Sequence, residues 1–120
     1  MTRRIIAGIG LRASATPADL RAALALAKQP PEAIATPEDK AHLPAFAASA
    51  LPLHPVPLAH LRAQPARTAS PRQPTRYGPN SVAEAAALAA AGPGAILIQP
   101  RITAPGGRVT LALAASGDTQ

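Results

Sequence analysis

A run of alanine and small residues at positions 82–91 restricts the folds open to this chain more than any other feature. Ser81 lies just before this run and Glu84 in its first turn, which is the spacing of a capping box. In a capping box the serine side chain accepts a hydrogen bond from the glutamate amide. Gly92 follows as a helix stop. Because the surface of such a helix is made of small side chains, the sequence predicts a short capped helix that approaches a β-sheet closely.

The start of this helix has two interpretations. The free N–H groups and the positive dipole end of a helix N-terminus favour a bound carboxylate or phosphate. Ser81 and Glu84 can also satisfy the free backbone N–H groups of the helix start without any ligand. Ser81 and Glu84 therefore cap the helix, contribute to a binding site, or do both.

Composition excludes several kinds of site. The 120 residues include no cysteine, which removes disulfides, thiolate metal ligands and a thiol nucleophile. With no cysteine, a cytoplasmic protein is the simplest expectation. The first residues resemble neither a signal peptide nor a membrane span, and no membrane partner is predicted. His42, His54 and His60 do not follow an established ligand spacing, so no metal site is predicted either.

The net charge of +6 predicts an anionic partner without naming it. Proteins that bind nucleic acids usually add aromatic stacking platforms or a recognisable helical motif. Phe46 and Tyr77 are the only aromatic residues, and they lie far apart in the sequence. A small basic module that binds nucleic acid or another partner without catalysis is therefore the alternative function, and nucleic acid is not the expected ligand.

Strand-like and helix-like segments alternate along the chain, which is typical of a three-layer α/β/α sandwich with a mixed, mostly parallel sheet of about five strands. The whole chain, 1–120, is interpreted as one domain. Helix starts are expected at Thr16-Pro17 and Thr36-Pro37, a helical turn at 58–61, and a hairpin turn at Pro105-Gly106-Gly107. The predicted strands are 5–7, 33–35, 53–56, 95–98 and 109–114.

Residues 62–79 form a long basic segment with several prolines and no periodicity. Such a segment in a compact domain is either a functional loop or a disordered excursion, and the sequence does not decide between them.

Ligands of such folds bind where the strands end at their carboxyl side, so Gly8–Arg12, Thr36–Lys40 and Arg101 are expected to converge there. The glycine segment matches a dinucleotide fingerprint only loosely and lacks the acidic residue after the second strand, so no cofactor is predicted. It is interpreted instead as a turn that brings backbone amides near another ligand. Lys40 is either an ordinary solvated lysine or a point charge for an anion, and Thr36 is in the first place a helix cap.

Several blocks occur in an order that resembles a known family. They are Gly8-Ile9-Gly10 with Arg12, Ala35-Thr36 with Lys40, Thr68-Ala69-Ser70, Ser81-Val82-Ala83-Glu84-Ala85-Ala86-Ala87-Leu88, and Thr110-Leu111-Ala112-Leu113-Ala114. Together they resemble the CobE family and the related C-terminal domain of CbiG, proteins of cobalamin (vitamin B12) biosynthesis. The chain departs from the family pattern at Leu11, often a cysteine, at Leu43, often acidic, and at Arg101, usually a lysine.

The resemblance implies a protein that binds or processes a precorrin-type tetrapyrrole intermediate, with other cobalamin-pathway enzymes as possible partners. It also implies a link to the opening of a ring lactone, a hydrolase-like step, without separating catalysis from a carrier role. The substrate-binding residues expected on this basis are Gly8, Gly10, Arg12, Thr36, Lys40, Ser70, Ser81 and Arg101. If the lactone is opened here, Glu84 is the candidate catalytic residue that positions water.

Overall fold

The structure, a computed structural model, describes residues 4–47, 49–64 and 81–117. Strands and helices alternate along these ranges as the sequence predicts. The elements are β1 (Ile5–Leu11), α1 (Pro17–Leu24), β2 (Ala33–Pro37), a 3-10 helix (Pro44–Phe46), β3 (Leu53–Val56), α2 (Leu58–Arg62), α3 (Val82–Ala91), β4 (Ile96–Thr103) and β5 (Val109–Ala115). The segment 62–79, predicted as a basic loop, falls largely outside the described residues.

The strands form one five-stranded sheet in the order β3-β2-β1-β5-β4. The pairs β1–β2 and β2–β3 are parallel, whereas β5 is antiparallel to both β1 and β4. Four strands therefore run in one direction and β5 runs in the other, which confirms the mixed, mostly parallel sheet. The turn between β4 and β5 contains Gly106 and Gly107 with φ angles of 92° and 73°, a left-handed conformation that glycine adopts without strain.

Helices cover both faces of the sheet, which confirms the three-layer sandwich. On one face, Ile9, Ile34 and Leu111 pack with Leu20 of α1 and Phe46 of the 3-10 helix. On the other face, the core combines strand residues with α2 and α3; its buried members are Ile6, Ala33, Ala35, Val56, Leu61, Ala85 and Ala86. We refer to these as the α1 face and the α3 face.

Helix α3 lies unusually close to β1, as its small side chains predict. A Cβ atom built on Gly8 would lie 1.9 Å from the Ala83 carbonyl oxygen and 2.8 Å from the Ala87 Cβ. The helix ends at Gly92, whose φ of 93° marks the predicted stop. The interpretation of 8–12 as a turn was wrong, because Gly8 and Gly10 lie inside β1. Gly8 provides space for the backbone of α3 and does not bend the chain.

The predicted helix start at Thr36-Pro37 was also wrong. Both residues belong to β2, where the Thr36 hydroxyl donates to the Ile9 carbonyl over 2.9 Å and Pro37 pairs with Val56. The similar start at Thr16-Pro17 does form a helix, because Asp19 completes its capping box with Thr16. At the second site, pairing between strands outweighs the local Thr-Pro signal.

Helix α1 ends at Leu24, and a buried glutamine holds the segment that follows it. The side chain of Gln99 donates to the Leu26 carbonyl over 3.1 Å and accepts from the Lys28 amide over 2.8 Å. The Gln99 side chain therefore pairs with the Leu26 carbonyl and the Lys28 amide in the way that the backbone of a neighbouring strand would. Gln99 lies in β4 and is 3% exposed.

We expect Gln99→Ala to lower the free energy of unfolding by about 2–3 kcal/mol, because it leaves a partly buried carbonyl and amide without partners. Urea denaturation monitored by circular dichroism measures this change. Gln29→Ala is the control, since Gln29 is exposed and its loss should cost less than about 0.5 kcal/mol. Equal effects of the two substitutions would contradict the role assigned to Gln99.

No helix within the described ranges is long and apolar enough to cross a membrane.

Candidate functional site

The ends of β1 and β2, the start of β5 and the N-terminus of α3 meet at one edge of the sheet, which we call the carboxyl edge. Gly10 pairs with Thr110 of β5 at this edge, and a Cβ atom built on Gly10 would lie 3.5 Å from the Val82 side chain. The hydroxyl of Thr36, near the end of β2, donates a hydrogen bond to the carbonyl of Ile9, the residue before Gly10. The structure thus brings Gly10, Thr36 and Ser81 to a common edge, as the sequence interpretation requires.

Ser81 caps α3, which is the serine half of the predicted capping box. Its side-chain oxygen accepts from the Glu84 amide at 3.5 Å, and the residue is 2% exposed. The residue lies at the α3 face of the carboxyl edge, beside Val82 and Gly10. Its hydroxyl therefore supports the helix start that forms one wall of this edge.

Glu84 is buried, with 1% of its surface exposed, and it connects α3 to β4. Its Oε2 atom accepts a hydrogen bond from the Arg101 amide over 2.9 Å. The register of β4 against β5 shifts between Gln99 and Ile102, so the strand carries an extra residue there. The carboxylate satisfies an amide within this bulge, and its place in the first turn of α3 is favoured by the helix dipole.

Two of the predicted binding residues are occupied by contacts within the protein. Gly8 is covered by α3, and the Thr36 side chain is fully buried against Ile9. Alternation along β2 places Thr36 on the α1 face together with Ile34, away from Ser81. These two residues shape the carboxyl edge without presenting a polar group at its surface.

The predicted cations lie nearer the surface. Arg12 is exposed directly after β1, and Lys40 is half-buried in the turn after β2, where its amide donates to the Pro37 carbonyl. Arg101 is half-buried in β4 on the far side of β5. Ser70 lies outside the described residues. Arg12 and Lys40 thus follow neighbouring parallel strands, as the carboxyl-end argument predicts.

Two of the departures from the family pattern have a packing explanation. Leu11 at the end of β1 and Leu43 before the 3-10 helix are both partly buried against the core of the α1 face. The leucines add apolar contact where a thiol or a carboxylate would stand in the family pattern.

Sequence reasoning missed Arg108, which lies next to Arg12. The Arg12 amide donates to the Arg108 carbonyl over 2.9 Å, directly beyond the last strand pair of Leu11 and Val109. The signal was available, because an antiparallel β5 that pairs with β1 must begin where β1 ends. The sequence pattern alone does not give the pairing partner of β5, so it does not place Arg108 at this edge.

Asp19, in the capping box of α1, contacts Arg108. The backbone N–H of Thr16 donates to its carboxylate and, together with Arg108 at 3.5 Å, holds the pKa of Asp19 below its usual value of 3.8. A carboxyl with a lowered pKa stabilises the folded state above its unfolded pKa. This contribution is lost as the pH falls through the lowered pKa of the folded state.

We therefore expect Asp19→Asn to flatten the dependence of stability on pH below about pH 4, because the variant has no carboxyl to protonate there. Urea midpoints measured at pH 7 and through the range from pH 4 to pH 2 test this. The wild type should lose more stability on acidification than the variant. Glu38→Gln, which removes an exposed carboxyl, serves as the control. Parallel pH curves for the wild type and Asp19→Asn would contradict the expectation.

Two grooves in the described part of the chain lie away from these residues. One of about 420 Å³ lies between α2 and the C-terminal end of α3, beside His60, Leu88 and Gly94. The other, of about 230 Å³, lies between α1 and residues 45–51. Neither is lined by a predicted site residue. The first marks the edge of the sheet opposite the carboxyl edge, because α3 runs antiparallel to β1.

Comparison with known proteins agrees with this architecture. The sequence profile of the family described as Cobalamin synthesis G C-terminus matches residues 5–114. The chain belongs to this family. It is therefore a protein of cobalamin biosynthesis, which confirms the resemblance noted in the sequence. None of the curated proteins matches the chain significantly.

Two solved structures of cobalamin biosynthesis proteins are similar to this member of the family. The crystal structure of CobE, a protein from the cobalamin biosynthetic pathway, is 28% identical, with a TM-score of 0.79 over 100% of this chain and 95% of the CobE chain. The cobalamin biosynthesis protein chiG from Agrobacterium tumefaciens is 35% identical, with a TM-score of 0.67 over 95% of this chain and 99% of that chain.

Proposed function

We propose that the protein binds a precorrin-type tetrapyrrole intermediate of cobalamin biosynthesis at the carboxyl edge. The observation that carries this proposal is the position of two cations at the edge of the sheet where a helix begins. Arg12 and Lys40 follow adjacent strands at the edge where α3 begins. Net positive charge and family membership are consistent with a ligand of this kind.

The chemistry of such a ligand matches this edge. Precorrins are flat rings with acetate and propionate carboxylates around their periphery. Arg12 offers a planar guanidinium for a two-pronged carboxylate contact, and Lys40 offers a mobile point charge. The N-terminal amides of α3 add an attraction of about 0.3–1 kcal/mol for each exposed anionic contact. Ser70 belongs to the same proposal as a predicted contact from the segment outside the described residues.

The contacts of Glu84 support binding as the primary activity. Its carboxylate is buried and bonded to the Arg101 amide. Hydrolysis of a ring lactone would instead need a water molecule held between this carboxylate and the substrate. We assign Glu84 a structural role in joining α3 to β4, and we propose that the protein holds or delivers the intermediate.

Titration of the purified protein with cobyrinic acid, followed by absorbance and calorimetry, tests the proposal. The double variant Arg12→Ala/Lys40→Ala should bind at least about tenfold more weakly, because about 1.4 kcal/mol of lost contact corresponds to a factor of ten. Arg4→Ala/Lys28→Ala is the matched control, since it removes the same charge from exposed positions elsewhere on the surface. It should leave affinity within about twofold of the wild type.

An unchanged spectrum and no heat of binding with the wild type would contradict the proposal. Binding of an RNA or DNA oligonucleotide that weakens steeply with salt would favour the alternative of a nucleic-acid module.

A further inference from the structure

The carboxyl edge carries a pair of arginines on neighbouring strands. Arg12 leaves β1 and Arg108 enters β5, and the hydrogen bond from the Arg12 amide to the Arg108 carbonyl fixes their backbones side by side. Within the described residues, the structure shows no side-chain partner for the Arg12 guanidinium. The two side chains therefore bring two positive charges to the end of the β1–β5 pair.

Asp19 fixes the direction of Arg108. The Arg108 Nη1 atom lies 3.5 Å from Asp19 Oδ2, and that carboxylate is itself held by the Thr16 amide over 2.9 Å. The Asp19 side chain is 17% exposed, whereas that of Arg108 is 49% exposed. A guanidinium has five N–H donors, so one carboxylate leaves donors of Arg108 directed at solvent. This local group of two arginines and one aspartate retains a positive charge.

The Arg108 side chain lies on a different side of the sheet from the start of α3. Asp19 belongs to α1, so its contact draws the Arg108 side chain towards the α1 face. Ser81 and Val82 lie on the α3 face, where Val82 approaches Gly10. Anion-binding groups are therefore present on both sides of the end of β1.

We propose that Arg108, oriented by Asp19, forms a second carboxylate contact on the α1 face, so that the carboxyl edge binds its ligand from two sides. This inference rests on the proposed function and refines its ligand class. The ligand is a rigid polycarboxylate wide enough to reach across the end of β1. A small anion is too short to reach both faces, so it contacts either the α1 face or the α3 face of this edge. Arg108 is a binding residue in this account, and Asp19 is a positioning residue.

Calorimetric titration with cobyrinic acid, with citrate as the small polycarboxylate probe, tests the inference. Arg108→Ala should weaken cobyrinic acid binding about tenfold. Arg4→Ala, which removes one charge beside the exposed Glu32, should change it by less than twofold. Citrate should bind at least about a hundredfold more weakly than cobyrinic acid. Thermal melting of each variant verifies the fold, and Arg108→Ala should melt close to the wild type because the Arg108–Asp19 ion pair lies near the surface.

The positioning role of Asp19 has its own readout. Asp19→Asn should weaken binding in the wild-type background and have no further effect when combined with Arg108→Ala, because Asp19 acts through that arginine. Additive effects of the two substitutions would overturn this part of the inference.

The outcomes separate the two proposals. If the wild type binds cobyrinic acid and Arg108→Ala binds equally well, the two-sided edge is overturned and the proposed function stands. If Arg4→Ala weakens binding as much as Arg108→Ala, the effect is one of net charge and the inference is again overturned. If the wild type does not bind, the proposed function itself fails.

Discussion

Replacing Gly8 with alanine is expected to lower the free energy of unfolding by at least about 3 kcal/mol, a large fraction of the stability of a domain of this size. The added Cβ would lie 1.9 Å from the Ala83 carbonyl oxygen and 2.6 Å from the Ala87 amide nitrogen. Both are backbone atoms of α3, so no side-chain rotation relieves the overlap. The helix must move away from β1, which loosens the core of the α3 face.

Gly10→Ala provides the matched comparison two residues along the same strand. Its Cβ would lie 2.7 Å from the Thr110 Oγ1 atom, a side-chain atom that can rotate away, and 3.5 Å from Val82. We expect a cost of about 1 kcal/mol for Gly10→Ala. Thermal and urea denaturation of both variants decide the question. A Gly8→Ala protein as stable as Gly10→Ala would mean that α3 does not pack on β1 as closely as the structure shows.

Replacing Glu84 with alanine is the second large effect, with an expected loss of about 2–4 kcal/mol of stability. The substitution leaves the Arg101 amide in the β4 bulge without its carboxylate partner and opens a cavity beside β4. Glu84→Gln should cost clearly less, since its side-chain oxygen can still accept from the Arg101 amide. Urea denaturation of the two variants measures the difference.

The glutamine variant also separates structure from catalysis. It retains the shape of Glu84 but has no carboxylate to act as a base on water. We expect it to bind cobyrinic acid with wild-type affinity. A different result would show that Glu84 is catalytic and that its structural assignment is incomplete. In that case the wild type hydrolyses a lactone-containing precorrin, whereas a folded glutamine variant does not.

Features governed by local chemistry could be predicted from the sequence. The capped start of α3 and its stop at Gly92 depend on residues a few positions apart, and the structure shows both. Val109, Leu111 and Leu113 likewise alternate along the sequence, as expected of residues on one face of a strand, and all three pack in the core of the α1 face. The approach of α3 to the sheet followed from its small side chains.

Features set by strand register could not be predicted in this way. Thr36-Pro37 has the local signature of a helix start, but pairing of β2 with β1 and β3 extends the strand through it. The role of Gln99 depends on a segment more than 70 residues away in the sequence. Arg108 reaches the carboxyl edge only because β5 is antiparallel to β1. A single sequence shows these residues but not their partners.

Mapping the bound ligand on the protein tests the central claim most directly. Backbone amide shifts in two-dimensional NMR spectra, recorded during titration with diamagnetic cobalt(III) cobyrinic acid, report which edge is contacted. The account predicts the largest shifts at 10–12, 38–40, 81–84 and 108–110, on both faces of the carboxyl edge. Shifts confined to the opposite groove, at 60–64 and 92–95, would contradict it, as would a spectrum that does not change at saturating ligand.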